Sequence, residues 1–420
     1  MIEHKRIARK ITATLFAAQS FGSAGIIAGG TVAAIVGAKL SGNPSLAGLP
    51  VAVQLFGTAL AALLVGILTE KLGRRRGISS GVVLGAFGSI LAVVAITAHS
   101  FLLFLIGLAF FGAALASLQL GRFAAAEVHP PESRGRAISY VVLGGTVGSV
   151  AGPLLVGPSG RLAEMAGRDE LAGPYTVAAI SIAIAALVVF VWLRPDPKEV
   201  GREIAAEYPA PNEGEDSERS IFSIISTPRA LVAIVSMVIG QGVMVLVMGM
   251  TSLHMRDNNH ILSSISLVMS AHTFGMFAFS MFSGRLTDRW GRIPVILTGA
   301  GTLLLGCAGA ALSTGVAPLA VALFFVGLGW NFCYVGGSAL LSDELTPGER
   351  ARTQGINDLL IYAFTAGVSI GSGVLFANAG YGGVGFAGAS ISLALLMSIG
   401  FWAFVRQKVS KEPRTADHTA

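Results

Sequence analysis

The chain has 420 residues, 53% of them apolar and 12% charged, with 54 glycines and a mean hydropathy of +0.72. Soluble domains carry roughly 25% charged residues. This chain therefore lacks the polar side chains to cover a water-facing surface of its size, and its solvent is lipid. Its net charge of +6 sits almost wholly in short connectors, which assigns the charge to membrane topology and speaks against a nucleic-acid surface.

Lys5, Arg6, Arg9 and Lys10 precede an apolar run that continues past the apolar length of a signal peptide, so the run reads as a retained first helix. Twelve spans are predicted in chain order. They lie near 11–38, 46–70, 77–98, 100–126, 137–158 and 173–193, then 230–253, 261–283, 294–313, 317–341, 353–378 and 383–405. Each is about as long as a helix needs to cross a hydrocarbon core of about 30 Å, and none alternates like a barrel strand. The stretch 194–228 is rich in proline and mixed charge and reads as a cytoplasmic linker with a short surface helix around Glu199–Ala206. The expected fold is an all-α membrane protein of two six-helix bundles, 1–193 and 229–420, joined by that linker. Cys307 and Cys333 fall inside apolar runs and read as packing residues.

With the N-terminus in the cytoplasm, the inside segments hold 24 of the 29 basic residues, and the outside segments hold only Lys39, Arg161, Arg168 and Arg256. Both termini are therefore expected in the cytoplasm, with the chain a multi-pass protein of the plasma or inner membrane.

Two connectors recur at matching points. Gly66-Ile67-Leu68-Thr69-Glu70-Lys71-Leu72-Gly73-Arg74-Arg75-Arg76 has a near copy in Gly284-Arg285-Leu286-Thr287-Asp288-Arg289-Trp290-Gly291-Arg292. The segment Glu127–Arg136, with Pro130 and Arg134, likewise has a counterpart in Glu344–Arg352, with Pro347 and Arg350. Paired connectors in register mark a duplicated chain, a plan common among secondary transporters. These connectors resemble the signatures of the major facilitator superfamily, with Glu70 where that family usually has aspartate, and the resemblance spans essentially the whole chain. It implies a cytoplasmic gate of Glu70, Arg74, Arg134, Asp288, Arg292 and Arg350, in which Glu70 and Asp288 pair with arginines such as Arg134 and Arg350 when the outside is open.

The fifth span carries Gly148, Gly152 and Pro153, which resemble the helix-5 motif of the family's drug–proton antiporters. Small residues one turn apart permit close helix packing, and an internal proline bends a helix. The arginine that many such antiporters keep early in the fourth helix is missing here. Arg122 lies nearer the cytoplasmic end, five positions from Glu127, where it reads as a lipid-phosphate contact or an anion contact at the inner mouth.

Ionisable groups at membrane depth are costly and point to function. His272, near the middle of its span, and Asp358, one to two turns into the eleventh, are the proton-coupling candidates. Gln19, Gln54, Gln119, Gln241, Trp330, Asn331 and Tyr334 are the candidates for a central substrate cavity. So few polar groups among many apolar ones predict a lipophilic or amphipathic cargo. The expected activity is export of a small compound by proton antiport through alternating access. The alternatives are a symporter or uniporter for an organic nutrient, or a non-transporting receptor or scaffold. No nucleotide loop or zinc-protease signature occurs, so no enzyme and no cofactor are expected. The expected partners are the solute, protons and membrane lipids, with the chain acting as a monomer.

Overall fold

The computed structural model describes residues 2–207 and 219–411, and every element among them is helical. The amino-terminal half holds α1 (Ile2–Ser41), α2 (Leu49–Leu72), α3 (Arg74–Thr97), α4 (Phe101–Glu127), α5 (Arg134–Met165) and α6 (Ala172–Trp192). Two short linker helices follow, α7 (Pro197–Glu207) and α8 (Ile221–Ile225). The carboxy-terminal half holds α9 (Pro228–Asp257), α10 (Leu262–Phe277), α11 (Ser280–Trp290), α12 (Arg292–Ala311), α13 (Val316–Asp343) and α14 (Pro347–Lys411).

Twelve crossings result. Helices α10 and α11 together make one span, broken at Ala278–Phe279. Helix α14 contains an apolar stretch of 54 residues, Arg352–Val405. At 1.5 Å per residue this is far longer than one crossing. It divides at Gly380, whose φ of 63° and ψ of −174° belong to a region open essentially only to glycine. Large apolar side chains such as Phe56 (69% exposed) and Phe401 (70%) point away from the bundle, where lipid replaces water as their solvent.

Small residues let the helices approach closely. A Cβ added at Gly148 would lie 2.0 Å from the Ser20 carbonyl oxygen, and one at Gly152 would lie 2.5 Å from that of Ala24. The helix-5 glycines therefore seat α5 against α1. Pro153 and Pro158 lie inside α5 without ending it, which carries the helix beyond the predicted 137–158. The break between α10 and α11 has neither glycine nor proline at its centre. Buried Asn331 of α13 braces it by donating to the Met276 carbonyl (2.6 Å) and the Ser280 hydroxyl (2.9 Å), while Ser283 Oγ donates to Asn331 Oδ1.

The repeated connectors fold alike. Gly73 turns the chain between α2 and α3 with φ 89° and ψ 163°, and Gly291 does the same between α11 and α12 with φ 89° and ψ 165°. Asp196 in the linker caps α3, accepting from the Arg74 and Arg75 amides at 3.0 Å each. An alanine at either glycine should cost about 1–3 kcal/mol for the strained backbone. At Gly73 the new Cβ would also meet Asp196 Oδ2 at 2.5 Å, whereas at Gly291 the nearest atom is Pro294 Cδ at 3.9 Å. Gly73→Ala should therefore lower the melting temperature in detergent more than Gly291→Ala does, and equal losses would count against the Asp196 contact.

Candidate functional site

A cavity of about 290 Å³ lies between the two halves. Gln19 and Ser23 of α1, Gln119 and Arg122 of α4, and Thr146 and Ser149 of α5 face it from one half. Phe277 at the end of α10, Tyr334 of α13, and Asp358 and Tyr362 of α14 face it from the other. On α14, Asp358 and Tyr362 stand four residues apart and share a face, as do Gln119 and Arg122 three apart on α4.

Two contacts cross the cavity. Gln119 Nε2 donates to the Tyr362 hydroxyl at 2.8 Å, and Arg122 Nη2 stands 4.0 Å from Asp358 Oδ2. The ion pair is loose, and each partner has a second neighbour. Gln354 Nε2 donates to Asp358 Oδ1 at 3.0 Å, and the Arg122 guanidinium lies 4.9 Å from the centre of the Phe123 ring. Among the described residues Arg122 Nε is buried with no hydrogen-bond partner. A buried donor left unsatisfied is costly.

An aromatic wall backs the cavity. Tyr334 stacks on Trp330 with centroids 5.1 Å apart, and Phe277 meets Trp330 edge-on at 6.0 Å. Gln241 Oε1 accepts from Trp330 Nε1 at 2.6 Å and fixes the indole. Gln241 and Trp330 thus stand behind the cavity as supports, and Asn331 is committed to the α10–α11 break. Gln54 is buried on α2 away from the lining.

His272 does not face the cavity. It is fully buried between α10 and α13, with Nδ1 at 2.9 Å from the Leu323 carbonyl oxygen and Nε2 without a partner among the described residues. Its depth matches the expectation, but its direction does not. Of the two proton-coupling candidates, Asp358 alone reaches the cavity.

The repeated connector arginines Arg74 and Arg292 pair within their own halves. Arg74 Nε donates to Glu127 Oε2 at 3.0 Å, and Arg292 Nε donates to Asp343 Oδ2 at 2.9 Å. These two clamps occupy equivalent places in the repeats. Glu70 is exposed and offers its backbone carbonyl to Lys198, while Asp288 lies 3.6 Å from Arg292 across the Gly291 turn. Arg134 donates to the His129 carbonyl at 3.3 Å, and the Arg350 side chain lies outside the described residues. In this inward-facing arrangement Glu127 and Asp343, at the ends of α4 and α13, hold Arg74 and Arg292, with Asp288 also within reach of Arg292; the pairing expected of Glu70 and Asp288 belongs to the state open to the outside. At the far end of the linker, Arg219 binds Glu349 through Nε at 2.9 Å and Nη2 at 2.8 Å. The guanidinium holds the Glu349 carboxyl well below its usual value, at about 2.

Closure between the halves lies instead at the outer ends. Arg256 of α9 pairs with Glu170, just before α6. Arg161 Nη2 donates to Ser263 Oγ at 3.2 Å, Ser369 Oγ donates to the Gly48 carbonyl at 2.8 Å, and Ser266 Oγ donates to the Pro153 carbonyl. Beside this set, Lys39 binds Asp169. Burial opposes ionisation of Asp169, but the Lys39 ammonium and the Leu171 amide outweigh it and hold the carboxyl below its usual value. Among the described residues, the polar contacts between halves nearer the cytoplasm are Gln119–Tyr362 and Arg122–Asp358. This is an inward-facing arrangement, closed outside.

A model of the Major Facilitator Superfamily matches residues 12–258 and 232–419. The chain is 36% identical over 388 residues to the uncharacterized MFS-type transporter YdeG of Bacillus subtilis (strain 168), covering 92% of this chain and 90% of that one. It is 30% identical over 382 residues to the riboflavin transporter RfnT of Brucella anthropi, covering 89% and 91%. Among solved structures, the partially occluded inward-open form of the xylose transporter XylE from E. coli aligns with a TM-score of 0.69 at 16% identity. That alignment covers 95% of this chain and 98% of XylE, and it is a likeness of fold.

The outer contacts predict a shift in state. Glu170→Gln removes the Arg256 pair, and Gly48→Val drives a side chain into the Ser369 carbonyl, 1.6 Å from where a Cβ would stand. Both native cysteines are buried, so a Thr146→Cys probe in the cavity can be read cleanly. Either change should raise labelling of that probe by an impermeant maleimide from outside several-fold. Unaltered labelling in both would show that these contacts do not hold the outer side shut.

Proposed function

The chain belongs to the major facilitator superfamily, and on that premise we propose that this secondary transporter takes up a planar, acceptor-rich organic solute by proton symport. The observation that carries the proposal is the Arg122–Asp358 pair across the cavity, loose at 4.0 Å and with Arg122 Nε unsatisfied. A solute acceptor and the Asp358 carboxylate compete for one guanidinium. Protonating Asp358 removes the competitor, so proton and solute favour each other's binding. Such positive linkage is reciprocal and is what symport requires, since both ligands must be carried together.

The cycle follows from that competition. With the outer side open, Asp358 takes a proton and Arg122 engages the solute. The halves then rock, the outer contacts form and the inner side opens. Asp358 loses its proton to the cytoplasm, turns back to Arg122 and displaces the solute. The inward-facing pair corresponds to the state after release. Phe277 and Tyr334 supply ring faces for a flat solute, and Gln19, Gln119 and Tyr362 supply hydrogen bonds at its rim. The riboflavin transporter among the relatives supports a heteroaromatic solute of this kind.

The export reading draws on Gly148, Gly152 and Pro153. Their close packing of α5 on α1 accounts for them without fixing a direction of transport. Export by antiport would suit a lipophilic cation, which competes with the proton for Asp358 and so gives linkage of the opposite sign.

Proteoliposomes with an imposed pH gradient separate the two, with riboflavin and a lipophilic cation as probes. Riboflavin should accumulate on the alkaline side. Asp358→Asn should abolish gradient-driven accumulation while leaving exchange of labelled for unlabelled solute. Arg122→Gln should weaken solute binding about tenfold to hundredfold, the range for a lost hydrogen bond to a charged group. His272→Gln should leave the coupling intact. Cation movement against the proton flow, with riboflavin inert, would overturn the symport reading.

A further inference from the structure

On the cytoplasmic face, α7 packs across the inner end of α4 and leaves a cleft of about 480 Å³ beside it. Val200 and Ile204 of α7 are buried at 5% exposure each, and a Cβ added at Gly201 would stand 3.2 Å from the Glu127 Cβ. The linker helix is therefore seated against the bundle. Arg74, Arg134, Lys198 and Arg202 line the cleft, together with Glu127 and Phe123.

The charges there do not balance. Glu127 is committed to Arg74. The nearby Asp196 is occupied by the backbone amides of Arg74, Arg75 and Lys198 at 2.9–3.0 Å. Among the described residues Lys198 and Arg134 donate to backbone carbonyls, those of Glu70 and His129, and form no ion pair. Arg202 has no hydrogen-bond or ion-pair partner among the described residues. Among the described residues three cations thus converge on one cleft whose lining carboxylate, Glu127, is already committed, with Glu70 at its edge near Arg74. Beside them Phe123 is 48% exposed on α4, offering an apolar surface next to the charged one.

We propose that this cleft binds the phosphate of an anionic phospholipid of the inner leaflet, with Phe123 against its acyl chains. Guanidinium and ammonium groups at the cytoplasmic surface attract anionic headgroups, and arginine adds paired donors that match phosphate oxygens. The aromatic ring beside the cations favours a lipid over free phosphate. Because α7 forms one wall, the bound lipid fastens the linker to the amino-terminal half.

The test uses the full chain in nanodiscs of phosphatidylcholine with graded phosphatidylglycerol, reading retained lipid by native mass spectrometry. The intact protein should retain phosphatidylglycerol in preference to phosphatidylcholine. Arg202→Gln should weaken that retention about fivefold, and Arg134→Gln with Arg202→Gln about 25-fold, at about 1 kcal/mol per cation near the surface. Arg136→Gln, on a basic residue outside the cleft, should have little effect, and matched melting temperatures establish that all variants are folded. Millimolar inorganic phosphate should not displace the lipid. Equal retention of both lipids, equal effects of Arg202→Gln and Arg136→Gln, or displacement by inorganic phosphate where chloride has no effect would each overturn the proposal.

Discussion

A guanidinium and a carboxylate face each other across the joint between two six-helix bundles, and the proposed transport cycle depends on that pair. Arg122 belongs to α4 and Asp358 to α14, so any rocking of the halves changes their separation. In a cavity walled by Phe277, Tyr334 and aliphatic side chains, the two charged side chains are 33% and 27% exposed and so only partly desolvated. Breaking such a pair without offering a substitute still carries a cost. In the proposed cycle a proton for Asp358 and an acceptor for Arg122 together make that substitute, so the two ligands would travel as a set.

The remainder of the fold keeps the pair in a movable joint between rigid bodies. Within each half, glycine contacts bring helices to backbone distance, as at Gly148 against Ser20 and Gly299 against Cys333. The Arg74–Glu127 and Arg292–Asp343 clamps tie the inner ends of each half internally. The linker is fixed at both described ends, by Asp196 on α3 and by Arg219 on Glu349. Polar contacts between the halves are concentrated at the outer ends, where hydroxyls and one ion pair join surfaces that can part as a unit.

Much of this was legible from the sequence, for a physical reason. Lipid demands long apolar helices, so the twelve spans and the surface helix over Glu199–Ala206 could be read from hydropathy and charge. The paired glycines at 73 and 291 likewise marked equivalent turns. Side-chain direction was harder, because a helix that faces lipid on one side and packed apolar neighbours on the other shows little periodicity. His272 and Asn331 therefore read as cavity residues by depth, although one lies in a helix interface and the other braces a break. The break itself at Ala278–Phe279 carries no local signal, since what stabilises it comes from α13. Arg122 was weighed against Glu127, its neighbour in sequence, while its partner lay in the other half of the chain. A usable sign was present in helical spacing: Gln354, Asp358 and Tyr362 recur every four residues, and Gln119 and Arg122 stand three apart. Tyr362 was missed because it was not read in that pattern.

The central claim is that proton and solute bind with positive linkage because Asp358 and the solute compete for Arg122. The most direct measurement is of protons exchanged when riboflavin binds the purified full chain in weakly buffered detergent solution, followed with a pH indicator. The account predicts net proton uptake on binding, lost in Asp358→Asn, together with affinity that tightens as pH falls. Proton release on binding, or binding indifferent to pH, would contradict it.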